Sequence, residues 1–501
     1  MMHIYDLIPD PSGDVRHMLF RGCDGSLVLR TRPFEQTEAD FVAQWPPTKP
    51  ECCASESRTY VCSDLRVLSR AAGSSGRSLV TEHFIPLDLA ARLCWPRRKH
   101  WDILRLLRDF GTLECSCLYD ALQRTSQATE SWLCSGLETD NPARERHAAA
   151  YATCLHQVAE ALCAALKARK VFIEDELELA PVLRDMETNP RCHLQIDRQY
   201  LLTLMGKRDT FEGWSTTNRA IASAAGVKGS LPPGGLLGCS WTQFGTWTGR
   251  VTASNPPMQA VGEDKFVDMR RLFQAQDGHT LISCDWRKAE LQALAKLTGK
   301  DKRNTTSWSV YEPLPPKVDL FRILYGGGTE AEIEGLPPLL RRSLLDIRYM
   351  MMAYNMGTPD RTNPLGNMSL PAPWCHRCPP VVGGRGQTCK LCGRKREPED
   401  RDPSTQVNWM LQASVAGAMR TMLPCLAAAL SEHGAHPVLL RHDEVVIQAP
   451  VAKVSTCQEV LVNHMSFTDE TLTRHAQEID NRWGQWDVSC STGKTLQELS
   501  K

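Results

Sequence analysis

Two acidic motifs set the chemistry open to this sequence. In LISCDWRKAEL (281–291), Asp285 closes an apolar, strand-like run, and Glu290 follows on a segment with helical spacing. In PVLLRHDEVVIQAP (437–450), His442, Asp443 and Glu444 stand between two apolar runs, the pattern of a tight hairpin presenting acids at its tip. Carboxylates from two separate strands are what a two-metal phosphoryl-transfer site needs. Divalent ions roughly 3.5–4 Å apart activate the attacking oxygen and stabilise the leaving one. Hard oxygen ligands suit Mg²⁺, which keeps part of its water and uses few protein carboxylates. Either motif alone is also readable as solvated turn acids; together they make a two-metal site the stronger reading.

A second constellation is Cys375-x2-Cys378-x10-Cys389-x2-Cys392. Four thiolates in two C-x-x-C knuckles can surround one Zn²⁺, with no position left open for catalysis, so the zinc expected here is structural. The quartet lies in a Pro-, Gly- and Cys-rich stretch (357–407) that reads as an insertion, with the ribbon itself over 371–398. Arg385, Lys390, Arg394, Lys395 and Arg396 beside it offer charge to a phosphate backbone. By contrast, Gly493-Lys494-Thr495 is not a phosphate loop, because the first required glycine would fall at Val488.

The elements that must position these groups are legible in outline. LISCD reads as a strand and Val438–Gln448 as strand-turn-strand. KVDLFRILYGG (317–327) reads as a helix that sets Lys317, Phe321 and Tyr325 on one face at i, i+4 and i+8. Residues 1–80 suggest a small α/β region, and the pattern turns helical from Phe84 to Gly111, broken by Arg97-Arg98-Lys99. A polar connection (125–146) precedes helical segments at 147–170 and 177–187, and KGSLPPGGLLG (228–238) is a break.

With 501 residues, 42% of them hydrophobic and 23% charged, the chain has a globular balance. Lys+Arg and Asp+Glu are both 58, which excludes a histone-like, purely electrostatic binder but leaves room for a local basic groove. The first residues have neither the basic nor the apolar region of a secretory signal, and no run approaches the ~18 apolar residues that cross a bilayer. The expectation is an intracellular protein without a membrane partner, its 20 cysteines reduced and mostly free outside the quartet.

On these residues the chain resembles family A DNA polymerases, the group of bacterial DNA polymerase I and several phage replicases. Asp285-Trp286-Arg287-Lys288-Ala289-Glu290-Leu291 resembles that family's D-Y-S-x-x-E-L motif, with Asp285 on its metal aspartate and Glu290 on the glutamate that crowds the sugar 2′ position. Lys317-x3-Phe321-x3-Tyr325-Gly326 is similar to its fingers helix, which binds the incoming dNTP. His442-Asp443-Glu444 resembles its third motif, implying Asp443 as second metal ligand, His442 near the primer terminus and Glu444 in support. Thr246-Trp247-Thr248-Gly249-Arg250 with Gln259, and Asn408-x3-Gln412, resemble its segments that hold primer-template DNA. LRDMETNPRCHLQID (183–197) is similar to the first helix of the polymerase domain, and Trp486–Thr495 to its last strand.

The resemblance implies an α+β right-hand polymerase: a palm with an antiparallel sheet, helical fingers and a thumb. The domain expectation is a degenerate, inactive 3′–5′ exonuclease-like region over 1–140, with Asp64 and Asp88 as remnants. The first helices and a reduced thumb follow over 141–235, then palm and fingers over 236–501. The implied activity is template-directed addition of dNTPs to a primer 3′ end, with low processivity unless a replication partner helps. The location it suggests is the cytoplasm or nucleoid of a bacterial or phage-infected cell. Pro313 stands where the fingers helix would carry an Arg, so Arg322 or Lys302 is expected to replace that triphosphate contact. Two alternatives share these motifs: a single-subunit RNA polymerase, against which Glu290 argues, and a catalytically inactive DNA-binding scaffold.

Overall fold

The computed structural model describes residues 2–9, 15–21, 27–33, 59–62, 84–94, 152–153, 155–164, 177–206, 213–227, 229–246, 248–262, 267–298, 311–325, 328–356, 403–468 and 486–499. The cysteine quartet and its basic neighbours, Asp64, the Arg97-Arg98-Lys99 cluster, the 125–146 connection, Trp247 and Lys302 lie outside them. The chain divides into two compact units, Met1–Arg184 and Asp185–Lys501.

In the first unit, β1 (Met2–Pro9), β2 (Val15–Arg21), β3 (Leu27–Pro33), β4 (Thr59–Cys62) and β5 (Phe84–Pro86) form one mixed sheet in the order β3-β2-β1-β4-β5. The first three strands are antiparallel, whereas β1, β4 and β5 run parallel. Phe84–Pro86, expected to be helical, is thus a strand. Pro86 disfavours helical backbone at Ile85, and the helix begins only at Leu87, running to Cys94.

The helix Leu179–Thr188 runs across the division into the second unit and stops before Pro190 because Asn189 takes extended backbone. Its strands are β6 (Leu194–Ile196), β7 (Leu236–Leu237), β8 (Ser240–Thr242), β9 (Thr252–Ser254), β10 (Phe273–Gln274), β11 (His279–Trp286), β12 (His436–Arg441), β13 (Glu444–Pro450) and β14 (Val488–Gly493). The main sheet has the order β12-β13-β11-β14 and is antiparallel throughout. Its two middle strands carry continuous buried runs, Leu281–Cys284 in β11 and Val445–Ala449 in β13. Such unalternating runs mark strands enclosed on both faces. Each large aliphatic side chain buried there contributes about 1.5–3 kcal/mol, so the sheet is fixed independently of any ligand.

The long helix Pro403–Ser431 packs on the helices Ala289–Leu297, Pro338–Met356 and Val454–Met465, and the last of these lies against β11, β13 and β14. The sequence reading finds no membrane-length apolar run, yet Leu411–Ser431 is long and apolar enough to cross a membrane. Its alanines and methionines raise the hydropathy without forming an unbroken run, and most of the segment is buried within the chain. The helix ends at Gly434, whose left-handed backbone (φ 71°) follows a bond from the Ala435 amide back to the Leu430 carbonyl.

Candidate active site

Asp285 lies near the end of β11, where the buried run meets the surface. Opposite it, the two-residue turn His442-Asp443 joins β12 to β13, with His442 in left-handed backbone (φ 46°). The Trp286 amide donates to the Asp443 carbonyl at 3.2 Å, stitching strand to turn. The ladder then places Arg441, Glu444, Asp285 and Ser489 in one row across all four strands. Side chains of one row share a sheet face, so the acids of the two motifs meet through register alone.

The electrostatics are those of an anionic site awaiting cations. Burial pushes the Asp285 carboxyl up to about 8, helped by Asp443 and Glu444 and opposed by the Lys317 ammonium. Burial likewise raises Asp443 to about 7, with Glu290 the strongest neighbouring charge and Arg250 opposing. Asp285 Oδ1 is buried and accepts no hydrogen bond from the chain. Buried polar atoms without partners are rare in folded proteins, and a carboxylate oxygen left open beside a second carboxylate fits a divalent cation. Asp285 and Asp443 would hold such an ion; among the described residues no group of three or more His, Cys, Asp and Glu side chains is placed to do so.

Glu444 is anchored rather than open. Ser283 Oγ donates to its Oε1 at 2.6 Å and the Arg441 guanidinium faces its other oxygen at 3.5 Å. Trp286, where the family motif has Tyr, is fully buried; its Nε1 donates to the Met465 carbonyl at 2.6 Å and its ring packs on Trp486 at 4.7 Å. The larger aromatic is therefore a core residue.

Across the site the helix Lys317–Leu324 brings Lys317 at its first position and Tyr325 at its C-cap. Phe321 and Tyr325 pack ring to ring at 5.6 Å. Burial and the Glu290 charge raise the Tyr325 hydroxyl, against a hydrogen bond with Gln412 of the long helix. Asn408, one turn earlier, has its Oδ1 buried without a partner in the chain. Glu290 pairs with Arg250 at 3.6 Å. His442 is exposed at the turn tip, with its imidazole held below its ordinary value by burial and by Arg250 and Arg441.

The structure thus gathers Asp285, Glu290, Lys317, Phe321, Tyr325, Asn408, Gln412, Arg250, His442, Asp443 and Glu444 around one place. Residues 230–305 match the profile of DNA polymerase family A. DNA polymerase theta of Caenorhabditis elegans is 26% identical over 263 residues, 50% of this chain and 16% of that protein. DNA polymerase I of Treponema pallidum is 24% identical over 310 residues, 56% of this chain and 30% of that one. The chain therefore spans less than a third of the length of these relatives. The mixed α+β fold matches the polymerase domain of Pol1 from M. smegmatis, solved with DNA primer-template and dNTP, with a TM-score of 0.59 and 14% identity over 100% of this chain and 96% of that one.

Three residues given DNA or nucleotide roles by resemblance to family A are occupied inside the chain. The Gln259 amide accepts from Ala253 and donates to the Val251 and Leu440 carbonyls, at 2.9, 3.0 and 2.9 Å. It ties the β8–β9 hairpin to strand β12. Thr248 is buried, its hydroxyl 2.9 Å from that of Thr246. Arg322, a candidate for the missing triphosphate contact, is bound to Glu332 and Asp319. The reason is helical geometry: one residue past Phe321 turns the side chain about 100° away from the Lys317–Tyr325 face. Sequence reasoning missed Ser283 and Arg441. Strand period two puts Ser283 on the face of Asp285, and that was the available signal.

Proposed function

We propose that this chain is a template-directed DNA polymerase that extends a primer 3′ end with dNTPs. The observation that carries the reading is the convergence of two half-buried aspartates, Asp285 with an open oxygen and Asp443, on Lys317 and Tyr325 from a separate helix. In the reaction the primer 3′-oxygen bonds to the α-phosphorus, the bond to the β-phosphate bridging oxygen breaks, and pyrophosphate departs. Two Mg²⁺ ions on Asp285 and Asp443 would supply the Lewis-acid chemistry at the attacking and leaving oxygens. Lys317, exposed at the helix start, neutralises the triphosphate. Glu290, held by Arg250, occupies the space a ribose 2′-hydroxyl would need, and Phe321 with Tyr325 forms the wall for sugar and base.

Further parts of the reading rest on sequence. The quartet Cys375, Cys378, Cys389 and Cys392 holds a structural Zn²⁺ that adds basic grip on duplex. The short span between Asp197 and Arg250 makes a small thumb and low processivity without a partner. The mixed sheet β1–β5 supports a degenerate exonuclease-like N-terminal region, and the working compartment is intracellular and reducing.

The test is extension of a labelled primer on a DNA template with Mg²⁺ and dNTPs. Wild type should extend, D285A and D443A should not, and rNTPs should be refused. A folded, zinc-replete wild type that extends nothing would overturn the proposal in favour of a DNA-binding scaffold.

A further inference from the structure

The long helix carries one charge in an otherwise apolar stretch, VAGAMRTMLPCLAAAL (415–430). That residue, Arg420, is only 5% exposed. Its Nη1 donates to the Gly249 carbonyl at 2.6 Å, and its guanidinium lies 4.2 Å from the centre of the Phe244 ring. Leucine or methionine would fill the same volume without the cost of desolvating a cation, so packing alone does not account for an arginine here. A planar guanidinium that stacks on a ring while donating along its edge fixes a carbonyl in direction as well as position.

The carbonyl it fixes matters. Gly249 is in left-handed backbone (φ 80°) and directly precedes Arg250. The loop around it is closed by its own bonds: the Gly245 amide to the Arg250 carbonyl at 3.0 Å, the Gly249 amide to the Thr246 carbonyl at 3.0 Å, and the Arg250 amide to Thr246 Oγ1 at 3.1 Å. From this closed loop the Arg250 side chain reaches the site, pairing with Glu290 at 3.6 Å. The same helix holds Tyr325 through Gln412, about 12 Å further toward its N-terminus.

We propose that Arg420 is a positioning residue for nucleotide addition, acting on the Arg250–Glu290 pair through the Gly249 carbonyl. This rests on the polymerase reading of the site. The helix is then a common ruler: Gln412 sets the wall on one side of the incoming nucleotide and Arg420 sets the pair on the other.

Two measurements on the full chain test it. In single-nucleotide insertion, R420M should lower kcat/KM about tenfold or more, R420K should recover part of that loss, and R420M/R250M should be no worse than R250M alone. Additive losses would overturn the proposal, since residues acting through one another do not add. In amide hydrogen exchange, residues 245–253 should exchange faster in R420M than in wild type, with R420K between them; unchanged protection would overturn it without reference to activity. If R420M does not fold, F244L removes the ring under the guanidinium and should loosen the same segment to a smaller extent, and unchanged protection there counts against the proposal equally. Absence of extension by wild type would sink the polymerase reading alone, because the exchange experiment still reads the loop.

Discussion

The two sides of the site are built to opposite specifications. The sheet side holds Asp285, Asp443 and Glu444 on ladder bonds, with fully buried neighbours and a register shared by four strands. The helix side presents Lys317, Phe321 and Tyr325 on an eight-residue helix whose first three residues are exposed, Val318 being 80% exposed. Among the described residues its anchors include the buried Leu320, Ile323 and Leu324, the Arg348 guanidinium on the Ile323 carbonyl at 2.9 Å, Gln412 on Tyr325, and exposed ion pairs of Arg322. On the proposed reading, groups that would hold metal ions in fixed positions are set in a core, whereas groups that would admit and test a substrate sit on a helix with an exposed start.

That contrast can be broken or sharpened by experiment. The largest effect belongs to the sheet side: D285A or D443A should lower kcat by more than about 1,000-fold, some 4 kcal/mol of barrier, in a primer-extension assay. Residual activity within tenfold of wild type would mean that the carboxylates are not the metal ligands. K317A should follow at about 100-fold in kcat/KM, felt mostly as weaker dNTP binding in titrations of initial rate. S283A should cost about tenfold, because it frees Glu444 to turn beside Asp285; an S283T variant that keeps the hydroxyl should recover most of it. R322A should change insertion by less than about twofold, and a larger loss would restore Arg322 as a triphosphate ligand.

The sheet side also predicts a pH dependence. Asp285 is held up at about 8 and Asp443 at about 7 when no metal is bound. A carboxyl raised on folding contributes most stability when protonated in both states, below about pH 4, and loses that contribution as pH rises through 7 and 8. Mg²⁺ competes with those protons for the same oxygens, so its effect on Tm should be greater at about pH 8.5 than at about pH 6. Equal shifts in a thermal melt would place the ion elsewhere.

Legibility in the sequence followed the range of the interaction. Asp285 at a strand end, the acid-tipped hairpin and the Lys317–Tyr325 face are all set by periodicity over fewer than a dozen residues, and the structure repeats them. Gln259 was not legible in the same way: one of its three partners, Leu440, lies 181 residues away, and no local pattern separates an amide spent on backbone from one offered to DNA. Thr248 is buried by a loop that closes on itself, which T-x-T-G-R spacing does not report. Arg322 lies off the Lys317–Tyr325 face, since a helix face changes within one residue, and pairs with Glu332 and Asp319. Membrane-length hydropathy in Leu411–Ser431 was missed because small side chains and a solitary arginine disguise it.

The hairpin between β12 and β13 has one further consequence, for how such a chain can drift. Only His442 and Asp443 separate strands whose row includes Asp285, and side chains in a strand alternate faces with every step. Deleting a single residue at the turn, with the strand pulled one step along the ladder, would exchange Glu444 for Val445 on the acidic face. Substitution of His442 is survivable by degrees. A change of length there is not, and insertions accumulating over generations are expected to spare this hairpin while collecting elsewhere in the chain.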